Sequence, residues 1–284
     1  MDGLLIVNKE KGYTSRDVVN IVSKVFNTSK IGHCGTLDPI AEGVLVIAIG
    51  KALKVIDLIT TDSKEYIAEV KLGIETDTLD ITGNVLKEMK NFKIEEKLVR
   101  NILDSFIGKS IQEVPLYSAV KVNGKRLYEY ARENISVELP KREIEIFDIE
   151  LLDFDNDRFI FRVCVSKGTY IRSLIRDIGN KLNIPATMIN LKRIKQGVFS
   201  IDNSYTLENI KNGNYKVVPI IDALNDYEVV EVNDFIANKV TNGRILENRY
   251  KSEKIVFVDS NKNVLALYRP YEKDVAKIKP IKVL

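Results

Sequence analysis

KIGHCGTLDPIAEGVL, residues 30–45, carries the only histidine of the chain, His33, one of its two cysteines, Cys34, and an aspartate, Asp38, set directly before Pro39. The proline ring disfavours the helical region for the residue before it, so Asp38 is biased towards extended backbone. Gly32, Gly35 and Gly43 allow tight turns and close backbone approach. After Gly43 the run VLVIAIG is apolar and rich in β-branched residues, and it reads as a buried strand. A carboxylate is therefore presented on a constrained loop that feeds a core strand. Taken alone, the loop is equally compatible with an ordinary turn in which Asp38 is one hydrogen-bonding residue among others.

Working outward, Thr14 to Phe26 is predicted as a helix capped by Thr14 or Ser15, with Val18, Val19, Val22, Val25 and Phe26 as its apolar stripe. Glu65 to Leu72 alternates with Tyr66, Ala68, Val70 and Leu72 on one face of a strand. A polar loop, TDTLDITG (76–83), follows. Ile94 to Phe106 reads as a helix with Leu98, Ile102 and Phe106 on its inner side, and Leu116 to Val122 as a strand ending at the turn signal Asn123-Gly124. Lys125 to Glu133 is a short helix. Strands are expected at 143–152 and 158–166, a helix from Tyr170 to Leu182, and a strand from Thr187 to Phe199. In that last helix the apolar stripe is Ile171, Leu174, Ile175, Ile178 and Leu182, which turns Arg172 and Arg176 onto a common side away from it. Strands and helices mix without regular βαβ alternation, so the class is α+β, with a mixed, largely antiparallel central sheet and flanking helices.

Composition changes after Tyr205, and Phe257–Asp259, Asn261–Asn263 and Val264–Tyr268 read as strand, turn and strand. The expected division is residues 1–225 as one domain and 226–284 as a small β-rich module, which is short for an independent core.

The chain has 284 residues, 45% hydrophobic and 29% charged, ordinary for a globular protein with a substantial core. The N-terminal apolar patch, four residues within MDGLLIVNKEKG, is too short for a signal-peptide core, and no segment approaches a bilayer span. Two cysteines argue against a disulfide scaffold and for a reducing, cytoplasmic setting. With a single histidine, zinc bound by the usual ligands is not expected; counting does not speak to an all-carboxylate magnesium site. The net charge is only +3, but residues 160–200 hold eight basic side chains against one acid, Asp177, a local charge of +7. Such an excess attracts a polyanion, and it points to nucleic acid ahead of a merely solvated basic face.

Tyr66 in its strand, SKGTYIR at 166–172, LKR at 191–193, TDTLD at 76–80 and PLYSAVKVNGKRLYEYAR at 115–132, together with GHCGTLDPIAEGVL, resemble the bacterial TruB-type tRNA pseudouridine synthases. The resemblance runs from about Leu4 to Phe199, and more loosely into the tail, which is similar to that family's small PUA-like RNA-binding module. It implies the pseudouridine synthase fold and isomerisation of the uridine at position 55 in the T-loop of tRNA. It implies Asp38 as the catalytic aspartate and Arg172 as its pairing arginine. Tyr66 would stack on the flipped uracil, Tyr170 would be a second aromatic contact, Leu191 an apolar wall of the base pocket, and His33 a support for the T-loop. Asp80 lies in a family-like loop as a possible contact.

The chemistry suits these residues. Breaking an N–C glycosidic bond, rotating the base and rejoining it through carbon adds no electrons or groups, so no redox or group-carrying cofactor is required. A carboxylate is required, as nucleophile or as stabiliser of a cationic sugar, with an arginine to keep it ionised. The target nucleotide must leave its stack, at a cost of a few kcal/mol offset by pocket contacts. The resemblance implies tRNA as partner, with no obligate protein partner; a monomer is expected because a folded RNA must reach the cleft. Lys9-Glu10 departs from the family's Lys-Pro, which puts local geometry around Lys9 in question, and Lys192-Arg193 departs from Arg-Arg. Two rivals stand: a guide-RNA-dependent pseudouridine synthase sharing Asp38, and a non-catalytic RNA-binding or RNA-folding protein.

Overall fold

The structure, a computed structural model, describes residues 1–59 and 63–284. These form two compact units, residues 1–39, 44–59 and 197–284 in one, and 40–43 and 63–196 in the other. Among the described residues no helix is long and apolar enough to cross a membrane.

In the first unit residues 44–49 of the strand Glu42–Ile49 continue a sheet with Gly3–Lys9 and Ile31–Cys34. Its run VLVIAI is apolar on every residue because both faces are covered. Leu45, Ile47 and Ile49 pack with Val18, Val19 and Val22 of the helix Ser15–Val25. Val44, Val46 and Ala48 pack with Leu4, Ile6, Leu224, Val256, Val258 and Leu267. A strand buried on both sides loses the period of two, which is why it reads as continuous. The helix starts where expected. Thr14 accepts from the Asp17 N–H at 3.1 Å, while the Asp17 carboxylate accepts from the Thr14 N–H at 2.9 Å, a reciprocal cap.

The C-terminal strands of this unit form a five-stranded sheet in the order Glu228–Glu231, Ile255–Val258, Val264–Tyr271, Asp274–Val283, Leu246–Glu247. Phe257 and Tyr268 meet edge to face in its core, with ring centroids 5.0 Å apart.

The second unit is built on strands in the order Ala186–Gln196, Lys64–Leu72, Arg158–Val165, Lys141–Asp155, Gly108–Glu113, every pair antiparallel. Glu42 and Gly43 add a short parallel pairing to Lys192 and Arg193. The sheet is thus mixed and largely antiparallel, as expected. Tyr66, Ala68, Val70 and Leu72 are buried and alternate with more exposed residues. The helix Ile171–Leu182 packs against strands Ala186–Gln196 and Lys64–Leu72.

Two expectations need correction. The helix at 94–106 is shorter, Glu96–Asp104, and buries Val99 and Leu103, while Leu98 is exposed. The apolar residues there fit two overlapping stripes, and only docking against Lys141–Asp155 selects one. Residues 116–120 are not strand: only Lys121–Val122 pairs, with Lys125–Arg126, across Asn123 and Gly124 at φ 51° and 82°. Upstream, the carbonyls of Ser118 and Val120 accept from the Tyr128 and Leu127 N–H groups, at the start of the helix Leu127–Arg132, so they are not available for a ladder.

Candidate active site

Asp38 lies in the first unit on a loop whose backbone is fastened on both sides. On the N-terminal side, the Leu37 N–H donates to the Ser15 hydroxyl at 2.9 Å, and that hydroxyl donates to the Leu37 carbonyl at 3.3 Å. On the C-terminal side, the Pro39 carbonyl accepts from the Gly12 N–H at 2.9 Å and from Lys9 Nζ at 3.5 Å. Lys9 is fully buried and also donates to the carbonyls of Tyr13 at 2.8 Å and Glu10 at 3.0 Å. The missing proline at position 10 therefore does not release Lys9. A buried ammonium surrounded by carbonyl oxygens ties the 10–13 turn to Pro39, since leaving any of its donors unmet carries a desolvation penalty. His33 sits opposite Ile47 on the strand Ile31–Cys34, half-buried, four residues before the loop reaches Leu37. Gly35, between them, turns the chain at φ 73°.

The second unit brings the remaining site residues together on neighbouring elements. Tyr66 pairs with Arg193 and Ala68 with Leu191. Directly opposed residues share a face and alternate residues return to it, so Tyr66 and Leu191 are diagonal neighbours on one buried face. Both are nearly inaccessible, at 6% and 5% exposure. Tyr170 caps the helix Ile171–Leu182 from an extended conformation, φ −102° and ψ 114°. Arg172 follows in the first turn.

Arg172 lies off the apolar stripe of its helix and is nonetheless buried. It is 4% exposed, and its guanidinium donates to the Thr78 carbonyl at 2.8 Å and the Tyr117 carbonyl at 3.0 Å. The fork geometry of arginine suits two carbonyls from different segments. Arg176 is closer to the expectation, held by Glu113 at 3.0 Å and Asp177 at 2.9 Å. Burial pushes the Asp177 carboxyl above its ordinary range, against the opposing pull of Arg176.

Asp80 is buried in the same loop that supplies the Thr78 carbonyl. One carboxylate oxygen accepts from Thr78 Oγ1 at 2.9 Å, Thr82 Oγ1 at 2.5 Å and the Thr82 N–H at 3.0 Å. Its carbonyl accepts from Thr76 Oγ1 at 2.7 Å, and Asp80 bridges to Met188 of the neighbouring strand. Leu79, between Thr78 and Asp80, has φ 62°, a left-handed conformation unusual for so large a side chain. The Asp80 loop and Arg172 are thus one hydrogen-bonded assembly.

Part of the +7 segment is met by acids distant in sequence. Arg162 contacts Glu65 at 2.8 Å, Asp148 at 2.8 Å and Glu150 at 3.1 Å, and hydrogen bonds to Glu65 and Glu150 raise its pKa further. Lys192 lies 4.0 Å from Glu42, and Lys181 sits over the Phe106 ring at 4.1 Å. Arg172 and Arg193 are buried, while Lys167, Lys181 and Lys195 are exposed. Residues missed in the sequence include Lys9, Ser15, Thr78 and Tyr117. All act through main-chain contacts, and nothing local in the sequence marks a carbonyl that a distant side chain will reach.

Comparison with known proteins identifies the family. Residues 23–171 match the model of the TruB family pseudouridylate synthase N-terminal domain, and 172–220 that of the tRNA pseudouridylate synthase B C-terminal domain. The chain is 46% identical over 257 residues to the tRNA pseudouridine synthase B of Clostridium tetani, covering 90% of this chain and 89% of the relative. It is 44% identical over 297 residues to that of Oceanobacillus iheyensis, covering 100% and 97%. Among solved structures, an H/ACA RNP bound to a substrate RNA containing 2'-deoxyuridine superposes with a TM-score of 0.72 at 24% identity, over 99% of this chain and 84% of that one, a likeness of fold. The chain belongs to the TruB family of pseudouridylate synthases.

Proposed function

We propose that this protein converts uridine to pseudouridine in tRNA, at position 55 of the T-loop, with Asp38 as the catalytic carboxylate. The observation that carries this reading is the fastening of the backbone at both Leu37 and Pro39, which leaves the residue between them on a rigid mount. A reacting group pays its positional entropy in advance when its backbone is held this way. The relatives named tRNA pseudouridine synthase B, aligned along nearly the whole chain, support tRNA as the substrate.

In this reading the nucleotide flips out and its uracil stacks on Tyr66, with Tyr170 as a second contact and Leu191 as an apolar wall. Arg172 pairs with Asp38 in the reaction. His33 supports the emptied T-loop, and Asp80 orders the loop beside Arg172. The glycosidic N1–C1' bond breaks, the uracil turns within the pocket, and C5 bonds to C1'. C5 then gives up its proton and N1 takes one, so the product is an isomer of the substrate. Residues 1–225 act as the catalytic domain, and 226–284 as an RNA-binding module of a cytoplasmic monomer.

The test is tritium release from C5 of uridine in an unmodified T-arm stem-loop, with purified protein and no guide RNA. Release at the T-loop uridine is expected. Bound RNA without release would favour a binding protein, and release only after adding guide RNA would favour guide dependence.

A further inference from the structure

We propose that Gln112 is a positioning residue for Tyr170, acting by gripping both peptide groups of that residue. The inference rests on the reading of Tyr170 as a base contact.

Gln112 lies on the strand Gly108–Glu113 and is 3% exposed. Its amide nitrogen donates to the Tyr170 carbonyl at 3.1 Å, and its amide oxygen accepts from the Tyr170 N–H at 2.8 Å. A side-chain amide thereby reproduces the paired donor and acceptor that a neighbouring strand would offer. Two bonds to the N–H and C=O of one residue fix its φ and ψ together, and hence the direction in which its Cβ leaves the backbone. Tyr170 needs this, because it stands between a glycine-containing turn and the first turn of a helix, with no cap from its own side chain. Its carbonyl also accepts the first helical bond, from the Leu174 N–H at 3.0 Å. The grip on Tyr170 is therefore a grip on the start of the helix.

Neighbouring residues make it a clamp. Ser173 Oγ donates to the Glu113 carbonyl at 2.8 Å, Arg176 reaches the Glu113 carboxylate at 3.0 Å, and Arg172 reaches the Tyr117 carbonyl at 3.0 Å. Residues 112–117 thus meet the first seven residues from Tyr170 through four separate side chains. Of these, only Gln112 touches Tyr170 itself, and only a planar group bearing a donor beside an acceptor makes both bonds.

The test uses the full-length protein with three variants, each followed by tritium release from the T-arm stem-loop. Gln112→Met keeps the volume and removes both bonds. Expected is a fall in kcat on the order of 10- to 100-fold with KM for the RNA unchanged, since misplacement by about 1 Å is enough for such losses. Gln112→Glu keeps the acceptor but loses the donor when ionised; when protonated, its O–H restores the donor. Its kcat relative to the unaltered protein is therefore expected to recover as pH falls from 8.5 towards 5.5, because burial raises a carboxyl pKa. Charged neighbours are Arg142 opposite on the next strand, Glu113 and Arg176 beside it, and Lys109, Asp177 and Lys181 around a cavity of about 200 Å³ that Gln112 also lines. Gln112→Met retains all of them and controls for their titration. Gln112→Asn, one methylene short, is expected to behave like Gln112→Met.

Recovery of Gln112→Glu at low pH, with Gln112→Met flat, supports the proposal, and this holds even if both variants melt at lower temperature. Wild-type kcat in all variants, or equal pH-independent losses in Gln112→Met and Gln112→Glu, overturns it. Absence of release by the unaltered protein overturns instead the functional reading beneath it.

Discussion

Ser15 and Leu37 are joined twice through one hydroxyl, which accepts from the Leu37 N–H at 2.9 Å and donates to its carbonyl at 3.3 Å. Both residues are buried, at 3% and 6% exposure, and the next residue is Asp38. Ser15→Ala leaves two buried backbone groups unmet, at about 1–3 kcal/mol each where water does not replace the hydroxyl. Expected are a stability loss in that range by urea denaturation and a fall in kcat with little change in RNA affinity. Unchanged kcat would show that the loop keeps its shape without this link.

Asp38→Asn keeps the size and removes the charge. Tritium release is expected to fall by more than about 10⁴-fold, the scale on which removal of a nucleophile acts in other enzymes. T-arm binding by filter retention should change only a few-fold. Residual turnover near the wild-type rate would end the assignment of Asp38.

Arg172 reaches two carbonyls from separate segments, Thr78 and Tyr117, while almost wholly buried. Lysine offers a compact charge in place of a fork. Arg172→Lys is expected to lose roughly 1.5–3 kcal/mol, the worth of one charged hydrogen bond, and to slow turnover at least tenfold. Calorimetry alongside the release assay separates the two effects.

Gly43 is required by a close approach. A Cβ there would lie 2.2 Å from the Arg193 carbonyl oxygen, and the residue has φ 102°. Gly43→Ala should cost about 1–3 kcal/mol from backbone strain, before the strands are pushed apart. A shifted urea midpoint at unchanged m-value is the expected signature.

Tyr268 is fully buried in the C-terminal sheet, its hydroxyl donating to the Arg244 carbonyl at 2.9 Å, and burial pushes its phenol up to about 12. An unfolded tyrosine ionises near 10, so the unfolded state releases its proton first as pH rises. The stabilisation is therefore complete below pH 10 and is lost between about 10 and 12. Burial moves Tyr227 and Tyr250 in the same direction. Tyr268→Phe should be less stable at pH 8, for want of the hydrogen bond, yet decline less steeply above pH 10. An identical alkaline slope would contradict this assignment.

Helix and strand placement was largely legible in the chain because it rests on near-neighbour effects. Thr14 and Asp17 cap a helix across three residues, Asn123-Gly124 supplies positive φ to a tight turn, and Tyr66 to Leu72 alternates with the period of a half-buried strand. The Asp38 loop could be singled out for the same reason: proline and glycine act on the backbone beside them. Where local pattern admitted two answers, as at Leu98 and Val99, the choice waited on what the helix packs against.

Side-chain fate over longer separations belonged to the folded chain. Arg172 reads as lying off the apolar stripe of its helix, but carbonyls 94 and 55 residues away hold it in the interior. Arg162 reads as part of a basic face, but Glu65, 97 residues away, and two acids of an adjoining strand meet it. Lys9, Ser15 and Gln112 carry no local mark of their tasks, since each serves a main-chain group that every residue possesses. Residue type and spacing set which backbone shapes are allowed. Which peptide groups then fall within 3 Å of a buried donor depends on strand register and packing, and those exist only once the distant segments have met.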